Sequence, residues 1–346
     1  MLTINVATKP NYSIDIGDDF LQDFCHYAVE LGSECIIVTD SNVAKLYLSR
    51  VRYALSATGK RVGEVIFPAG EVNKTMATVE LLLNAFARFK LTRSGVVIAL
   101  GGGVTGDIAG FAAAIWLRGV AVIQVPTTLL AMVDSSVGGK TGVDLPCGKN
   151  LIGAFHQPQK VLADITTLQT LSAEHQLDGI AEMLKAGVIR DPEFFAQLVA
   201  EPQSALSAES IARSVAIKAE IVAADEFETG ERKLLNLGHT TGHAIEKVSN
   251  YTISHGRAVA MGMMLVADAG LRHGITSENC RDAIVEALYS CNLPLLSPFP
   301  INELLAAMEH DKKCAGDLIT LVVPREIGNC ELLQLSVGEM PAFWSK

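Results

Sequence analysis

Three histidines in the second half of the chain are the clearest candidates for metal chemistry. His239 and His243 are four residues apart, so on a helix they would lie one turn apart on the same face. Two such imidazoles are a suitable pair of metal ligands, which His255 and a carboxylate could complete. Histidines at this spacing also occur as surface or core residues without a ligand role. Asn236 before the pair and Gly256 after the third histidine make the vicinity polar and tight, which favours a site.

A glycine-rich segment in the first half, Gly101-Gly102-Gly103-Val104-Thr105-Gly106-Asp107, is the second candidate. It follows a β-branched run and precedes the apolar segment 108–117. Glycines at a strand-to-helix turn let backbone N–H groups approach a pyrophosphate, and the helix N-terminus adds positive potential. The spacing is not the usual G-x-G-x-x-G at a first turn. It predicts dinucleotide binding outside a standard dehydrogenase arrangement, with a tight corner that binds nothing as the alternative.

Lysine and arginine side chains recur within apolar or glycine-rich segments, where most would extend to water. Lys140 differs because it lies among small residues in Val133-Asp-Ser-Ser-Val-Gly-Gly-Lys-Thr141. This segment resembles half of a phosphate-binding P-loop but lacks the full G-x-x-x-x-G-K-[ST] spacing. We therefore reject an ATPase. A small anion remains a suitable ligand.

The composition is that of a globular chain. Of 346 residues, 49% are apolar and 19% charged, and the net charge of −10 argues against nucleic acid as the main partner. No apolar run approaches the roughly 18–20 residues that span a bilayer, and the first residues do not resemble a signal peptide. Seven scattered cysteines without a C-x-x-C pair are typical of reduced thiols. We expect a cytoplasmic protein.

The elements that must position these residues change in character along the chain. In the first half, β-branched runs predict buried strands at 35–39, 61–67, 95–100 and 120–125. Apolar spacing over 72–89 predicts a helix capped by Thr75 or Asn73. Strands that alternate with helices indicate a mainly parallel sheet.

Beyond about Thr170, helices predominate. They are predicted at 173–189, 208–225, 242–248, 255–273, 277–290 and 301–310, with strand-like residues at 318–323 and 331–335. The expected fold class is an α/β Rossmann-like N-terminal domain with a mainly parallel sheet and an all-helical C-terminal domain. The boundary is expected at residues 171/172, with NAD binding in 1–171 and metal and substrate binding in 172–346.

Taken in order, these segments resemble the 3-dehydroquinate synthase family of the sugar-phosphate cyclase superfamily, and the similarity covers nearly the whole chain. The motifs that carry it are Gly70-Glu71-x-x-Lys74, Ala99-Leu-Gly-Gly-Gly-Val-Thr-Gly-Asp107, Pro126-Thr-Thr-Leu-Leu130, Val133-Asp-Ser-Ser-Val-Gly-Gly-Lys-Thr141, Gly148-Lys-Asn150, Ala181-Glu-x-x-Lys185 and Leu235-Asn-Leu-Gly-His-Thr-Thr-Gly-His-Ala-Ile-Glu246.

The resemblance implies a lyase of the shikimate pathway, which leads to chorismate and the aromatic amino acids. Its substrate would be 3-deoxy-D-arabino-heptulosonate 7-phosphate. Bound NAD would oxidise the C5 hydroxyl, phosphate would leave, the NADH just formed would reduce the ketone, and an aldol step would close 3-dehydroquinate. No net oxidation results. The resemblance also implies a homodimer.

Carried over residue by residue, the resemblance implies that Glu182, His239 and His255 bind Zn²⁺ or Co²⁺. The ion would act as a Lewis acid toward the substrate hydroxyls. His243 would then contact the substrate, although spacing alone favours it as a metal ligand.

The same resemblance implies a set of contacts for the carboxylate and phosphate of the substrate, which need several fixed cations. These contacts are Arg118, Asp134, Lys140, Asn150, Lys185, Lys218, Arg232, Asn236, His243 and Lys312, with Lys313 as the alternative to Lys312. Catalytic roles fall to Lys140, Lys185, Arg232, Asn236 and His243. The base for proton transfer, enzyme or substrate phosphate, stays open.

The implied NAD contacts lie in the first half of the chain. They are Asp40, Asn42, Glu71, Lys74, Gly102, Gly103, Val104, Asp107, Thr127, Thr128, Asp134, Lys149, Thr170 and Leu171. Asp40 and Glu71 would suit ribose hydroxyls and hence NAD over its 2′-phosphorylated form.

Three residues depart from the family pattern, namely Thr241, Arg257 and Phe227. None replaces a ligand, so they affect local packing.

Three alternatives remain. Another sugar-phosphate cyclase, making a valiolone or deoxy-inosose, would change the substrate contacts, whereas Arg118 and Asn150 keep the dehydroquinate pattern. A metal-dependent alcohol or glycerol dehydrogenase would lack the cluster of Lys140, Lys149 and Lys185. A non-catalytic NAD-binding module would not need the full set of polar residues expected for the substrate.

Overall fold

The computed structural model describes residues 1–28, 32–312 and 318–345, with side chains in all of these except 28, 309–312 and 345. The side chain of Lys312, a predicted substrate contact, and the alternative Lys313 therefore lie outside the described residues. The chain forms two compact units, Met1–Leu171 and Ser172–Lys346. The roles expected for the two domains stay predictions at this stage.

A mainly parallel sheet forms the centre of the first unit. The strands in chain order are β1 (Leu2–Val6), β2 (Tyr12–Gly17), β3 (Glu34–Asp40), β4 (Arg61–Phe67), β5 (Val96–Gly101), β6 (Ala121–Pro126), β7 (Lys140–Leu145), β8 (Gly148–Phe155) and β9 (Lys160–Asp164). In the sheet they follow the order β1-β2-β9-β6-β5-β3-β4. β1 and β2 pair antiparallel, the other neighbours pair parallel, and β7 and β8 form a separate antiparallel hairpin.

Helices cover both faces of this sheet. They are α1 (Phe24–Ala28), α2 (Ser49–Ser56), α3 (Met76–Phe89) and α4 (Gly103–Ile115). Phe86 of α3 and Ile108 of α4 pack with alternate residues of the strands on one face, and Leu55 of α2 packs with the intervening residues on the other. Each of these fully buried side chains stabilises the unit by about 1.5–3 kcal/mol relative to an exposed position. The predicted α/β architecture is confirmed.

The predicted strands at 35–39, 61–67, 95–100 and 120–125 correspond to β3, β4, β5 and β6. The predicted helix at 72–89 begins later, at Met76, because Glu71–Asn73 form a short 3₁₀ turn. Of the two candidate caps, Thr75 is the one used, since its Oγ1 accepts a hydrogen bond from the Thr78 N–H at 3.3 Å. The β7–β8 hairpin was not predicted, because its residues read as glycine-rich loops.

The second unit is rich in helices. They are α5 (Ala173–Arg190), α6 (Pro192–Ala200), α7 (Ala208–Ala224), α8 (His239–Val248), α9 (His255–Arg272), α10 (Glu278–Ser290), α11 (Ile301–Lys312) and α12 (Met340–Ser345). The two strand-like segments form an antiparallel hairpin, β10 (Leu318–Glu326) and β11 (Asn329–Ser336), so the expectation of an all-helical domain is wrong in this respect. Within the described residues, none of the helices has the length and apolar character required to cross a membrane.

Candidate functional site

Three helices of the second unit bring Glu182, His239 and His255 together. Glu182 lies in the middle of α5, and the two histidines are the first residues of α8 and α9. α8 and α9 approach closely because Gly262 lies against the backbone of Gly238, where a Cβ would overlap the carbonyl oxygen. The glycines of this crossing therefore allow both histidines to reach the carboxylate on α5.

The donor atoms of these three residues all lie within 4.8 Å of one another. His239 Nε2 is 3.6 Å and His255 Nε2 is 3.4 Å from Oε1 of Glu182. Glu182 is 2% exposed, and within the described part of the chain neither carboxylate oxygen makes a hydrogen bond of normal geometry. A buried carboxylate is costly unless it is paired or coordinates a metal. Two imidazole nitrogens and a carboxylate are a donor set that fits Zn²⁺ or Co²⁺.

The opposite ring nitrogens of the two histidines are held by oxygen acceptors. His239 Nδ1 lies 3.1 Å from the carbonyl oxygen of Leu237, and His255 Nδ1 lies 3.2 Å from Oε2 of Glu246. A carbonyl or carboxylate oxygen can only accept, so each Nδ1 donates and each Nε2 can present its lone pair toward Glu182. Metal-binding histidines are usually held in this way.

The charges around the cluster shift its pKa values. Burial and the charge of Lys185 hold the pKa of His239 well below its usual value, so this imidazole is neutral at pH 7. Burial would raise the pKa of Glu182, but Lys185 and the histidines hold it well below its usual value. Burial would lower the pKa of His255, but the adjacent carboxylates of Glu182 and Glu246 raise it to about 10. Glu182 and Glu246 therefore stabilise a second proton on the His255 imidazole. A bound divalent ion would supply the same positive charge in place of that proton.

A second group of possible donors, His243, Glu246 and His255, also lies within 4.8 Å. It uses the other edge of the His255 ring, where Glu246 already accepts the Nδ1 hydrogen. The ring centroid of His243 lies 5.4 Å from that of His239. The geometry favours the Glu182 group for the ion and leaves His243 beside it.

Buried cations are a further feature of the second unit. Lys185, Lys218 and Arg232 are 2%, 9% and 2% exposed. Lys185 Nζ contacts Oε2 of Glu182, and Arg232 Nη1 donates to the carbonyl oxygen of Glu226. Three buried cations concentrate positive charge in this unit, which suits an anionic ligand.

Asn236, a predicted substrate contact, donates from Nδ2 to Oε1 of Glu228 at 2.6 Å. Glu228 has a left-handed backbone, with φ of +61°, which is unusual for a residue other than glycine. Sequence reasoning missed this glutamate, because it lies in a charged loop without a distinguishing pattern. The contact fixes the amide of Asn236, so its carbonyl oxygen can point away from Glu228.

In the first unit, β5 ends at Gly101 and α4 begins at Gly103. A Cβ at Gly102 would lie 3.1 Å from Thr128 Cγ2, and one at Gly103 would lie 2.8 Å from Ser135 Oγ. The first N–H groups of α4, including that of Val104, lack partners within the helix and suit an anion. The turn has the features expected of a pyrophosphate site.

Asp40 lies at the same end of the sheet. It ends β3, which pairs with β5, and β6 ends at Pro126 directly before the predicted contact Thr127. Asp40 Oδ1 accepts from the Asn42 N–H at 2.8 Å, and Oδ2 accepts from Thr105 Oγ1 at 3.2 Å. Ligands of open α/β sheets bind outside the carboxyl ends of the strands, where these residues lie.

Lys74 joins two of the predicted sets. Its Nζ donates to Asp107 Oδ2 and to Asn150 Oδ1, each at 2.6 Å. Lys149 Nζ lies 2.9 Å from Glu71 Oε1. The predicted cofactor contacts of this region therefore form two ion pairs, and Lys74 also holds the predicted substrate contact Asn150.

The remaining predicted contacts are Arg118, Asp134, Lys140, Thr170 and Leu171. Arg118 and Lys140 are exposed, Arg118 in a turn with φ of +68° and Lys140 as the first residue of β7. Thr170 Oγ1 lies 2.5 Å from the hydroxyl of Tyr47. The roles of these residues, and those of Asp134 and Leu171, stay predictions.

Further acidic residues that support the candidate sites were missed. Asp144 Oδ1 accepts from the Asn150 N–H at 2.7 Å, and Asp178 contacts the start of α9. Nothing in the sequence distinguishes Asp144 or Asp178 from the other acidic residues of the chain. Glu246 could have been found, because it closes the motif that contains His239 and lies seven residues after it.

Comparisons with known proteins agree with this geometry. The family model described as 3-dehydroquinate synthase N-terminal matches residues 64–178, and the one described as 3-dehydroquinate synthase C-terminal matches residues 179–314. The 3-dehydroquinate synthase of Xanthomonas oryzae pv. oryzae (strain MAFF 311018) is 46% identical over 339 residues, which cover 93% of this chain and 92% of that protein.

Two solved structures of sugar-phosphate cyclases are also similar. A 2-deoxy-scyllo-inosose synthase complexed with carbaglucose-6-phosphate, NAD⁺ and Co²⁺ has a TM-score of 0.89 at 25% identity, covering 99% of this chain and 98% of its own. ValA, the 2-epi-5-epi-valiolone synthase from Streptomyces hygroscopicus subsp. jinggangensis 5008 with NAD⁺ and Zn²⁺, has a TM-score of 0.87 at 27% identity, covering 96% and 95%. Family models, sequence identity and fold lead to one conclusion: the chain belongs to the 3-dehydroquinate synthase family.

Proposed function

We propose that this chain converts 3-deoxy-D-arabino-heptulosonate 7-phosphate to 3-dehydroquinate and phosphate, as a lyase of the shikimate pathway. The observation that carries the proposal is the buried donor set of Glu182, His239 and His255 in a chain 46% identical to a 3-dehydroquinate synthase. The solved cyclases at 25% and 27% identity make other products, and the much higher identity favours dehydroquinate over those.

The donor set would hold Zn²⁺ or Co²⁺, which as a Lewis acid stabilises negative charge on a substrate hydroxyl oxygen. Glu182 contributes a carboxylate, and His239 and His255 contribute Nε2 lone pairs. His243 would orient the substrate from beside the ion, and Asn236 would do so through its amide. Lys185, Lys218 and Arg232, which the resemblance assigns to the substrate, would neutralise its anionic groups.

The chemistry supplied by bound NAD would be reversible hydride transfer with the substrate. The glycine turn before α4 would bind its pyrophosphate, and Asp40 would accept from ribose hydroxyls. Glu71, Lys74, Asp107 and Lys149 would hold the cofactor through their ion pairs. From the resemblance alone, we also propose a homodimer in the cytoplasm.

Removal of the metal tests this function. Phosphate release from the heptulosonate 7-phosphate should cease after treatment with a chelator and return when Zn²⁺ or Co²⁺ is added. His239→Ala should not recover under the same addition, whereas Glu220→Ala, a change at an exposed position of α7, should behave as the wild type. Undiminished phosphate release from protein shown to contain no divalent metal would refute the proposal.

A further inference from the structure

The imidazole of His255 is held on the edge opposite Glu182 by a second buried carboxylate. Glu246 lies on α8 and is 2% exposed, and its Oε2 lies 3.2 Å from His255 Nδ1. This hydrogen bond fixes the tautomer with hydrogen on Nδ1 and directs Nε2 toward Glu182. The orientation of the ring thus depends on a residue of a different helix.

The residues on both sides of His255 are held by a third carboxylate, that of Asp178. Its Oδ1 accepts from the Ser254 hydroxyl at 2.6 Å and from the Gly256 N–H at 3.0 Å. Ser254 occupies the N-cap position of α9 but makes no capping bond with its own side chain. The carboxylate of Asp178, which is 5% exposed, therefore caps the N-terminus of α9 in place of the Ser254 side chain.

The same aspartate links the two helices that carry opposing ligands. Asp178 lies four residues before Glu182, one turn away on the same side of α5. Gly256 packs so closely on the backbone of Asp178 that a Cβ there would overlap it. The start of α9 is therefore anchored to α5 one turn from Glu182, which sets the separation of Glu182 from His255.

We propose that Glu246 and Asp178 are positioning residues for metal binding: Glu246 fixes the ring of His255 and Asp178 fixes its backbone relative to Glu182. This inference rests on the metal role proposed for Glu182, His239 and His255. Neither positioning residue needs to touch the ion or the substrate. Residues that orient metal ligands in this way typically contribute a factor of about 10–100 to metal affinity.

Titration of the full metal-free chain with Co²⁺, followed by visible absorption, measures this contribution without catalysis. Glu246→Ala should weaken Co²⁺ binding about 10–100-fold and alter the absorption bands. Glu246→Gln keeps an acceptor oxygen for Nδ1–H and should lose less affinity. Asp178→Ala should also weaken binding, and Asp178→Asn, which keeps its Oδ1 acceptor, should lie nearer the wild type. Glu220→Ala is the matched exposed control and should bind as the wild type.

The outcomes separate this inference from the function on which it rests. Wild-type affinity and bands in folded Glu246→Ala and Asp178→Ala would overturn the positioning roles, even if His239→Ala abolished binding. If Glu246→Ala does not fold, as judged by circular dichroism, Glu246→Met, which fills the space without an acceptor oxygen, takes its place, and wild-type affinity and bands in that variant would overturn the role of Glu246. Retention of Co²⁺ by His239→Ala would instead contradict the proposed metal site. His243→Ala should retain Co²⁺; a loss as large as that of Glu246→Ala would place the ion between His243, Glu246 and His255 and would also overturn the inference.

Discussion

The pair formed by Lys74 and Asp107 should stabilise the first unit only as long as both charges are present. The side chain of Lys74 is 6% exposed and that of Asp107 is 18% exposed, with Nζ and Oδ2 2.6 Å apart. Burial lowers the pKa of Lys74, but the charges of Asp107 and Glu71 outweigh it and raise that pKa. The lysine is therefore charged at pH 7. Burial raises the pKa of Asp107 even beside Lys74. Lys74→Met would leave this buried carboxyl group without its cation and close to the negative Glu71, which raises its pKa further.

The expected cost follows from this geometry. Removing one partner of a buried ion pair costs about 3–5 kcal/mol, and the partial exposure of Asp107 favours the lower end, about 3 kcal/mol. With a urea slope of about 2 kcal/mol per molar, the midpoint of unfolding should fall by about 1.5 M. Lys74→Met combined with Asp107→Asn removes both charges and should recover most of the loss, because replacing a whole buried pair is often nearly neutral.

Urea unfolding of the full chain is the assay, followed by the fluorescence of Trp116 in a Trp344→Phe background so that the signal reports on the first unit. Arg93→Met, at an exposed position of the same unit, is the control and should leave the midpoint within about 0.5 kcal/mol of the parent value. An unchanged midpoint in Lys74→Met, or an equal loss in the single and double variants, would refute the argument from the buried pair.

Three further changes have expected outcomes. Lys140→Ala should weaken binding of the heptulosonate 7-phosphate and leave NAD affinity unchanged in calorimetry; loss of NAD affinity would assign this lysine to the other ligand. Gly103→Ala should weaken NAD binding, because the added methyl group would lie 2.8 Å from Ser135 Oγ and displace the glycine turn, and unchanged affinity would count against the pyrophosphate site. Burial raises the pKa of Asp225, but hydrogen bonds from the backbone N–H groups of residues 229, 230 and 232 lower it to about 2. Asp225→Asn should therefore have a lower melting temperature than the wild type above about pH 4, with the difference vanishing as the pH falls to 2; a pH-independent difference would contradict this.

Local sequence patterns predict the first unit well and the second less well. The β-branched runs of β3, β5 and β6 are buried on both faces of the sheet, so they read as continuous apolar strands. α8 begins three residues before its predicted start, because Thr240 and Thr241 are poor helix formers and packing against α9 decides the conformation. The β7–β8 hairpin was missed because its glycines allow close strand contact instead of marking a loop: a Cβ at Gly142 would lie 2.6 Å from the carbonyl oxygen of Ile152.

The candidate metal site shows the limit of spacing arguments. Four-residue spacing predicts that His239 and His243 share an ion, but the nitrogens that converge on Glu182 belong to His239 and His255. The convergence arises where α5, α8 and α9 cross, and no periodicity within one helix encodes that crossing. The family resemblance implies all three donors, and Glu246 closes the motif that contains His239, but its contact with His255 and the role of Asp178 emerge only from contacts between helices.

The central claim is that this chain catalyses phosphate elimination with a cofactor that is restored in every turnover. Its most direct test mixes the metal-loaded full chain and the heptulosonate 7-phosphate with NAD far below the substrate concentration. Inorganic phosphate and absorbance at the NADH wavelength are then followed together. We predict many phosphates released per NAD with no accumulation of NADH. Steady accumulation of NADH with a simple polyol, and no phosphate from the sugar acid, would contradict the account and indicate a dehydrogenase.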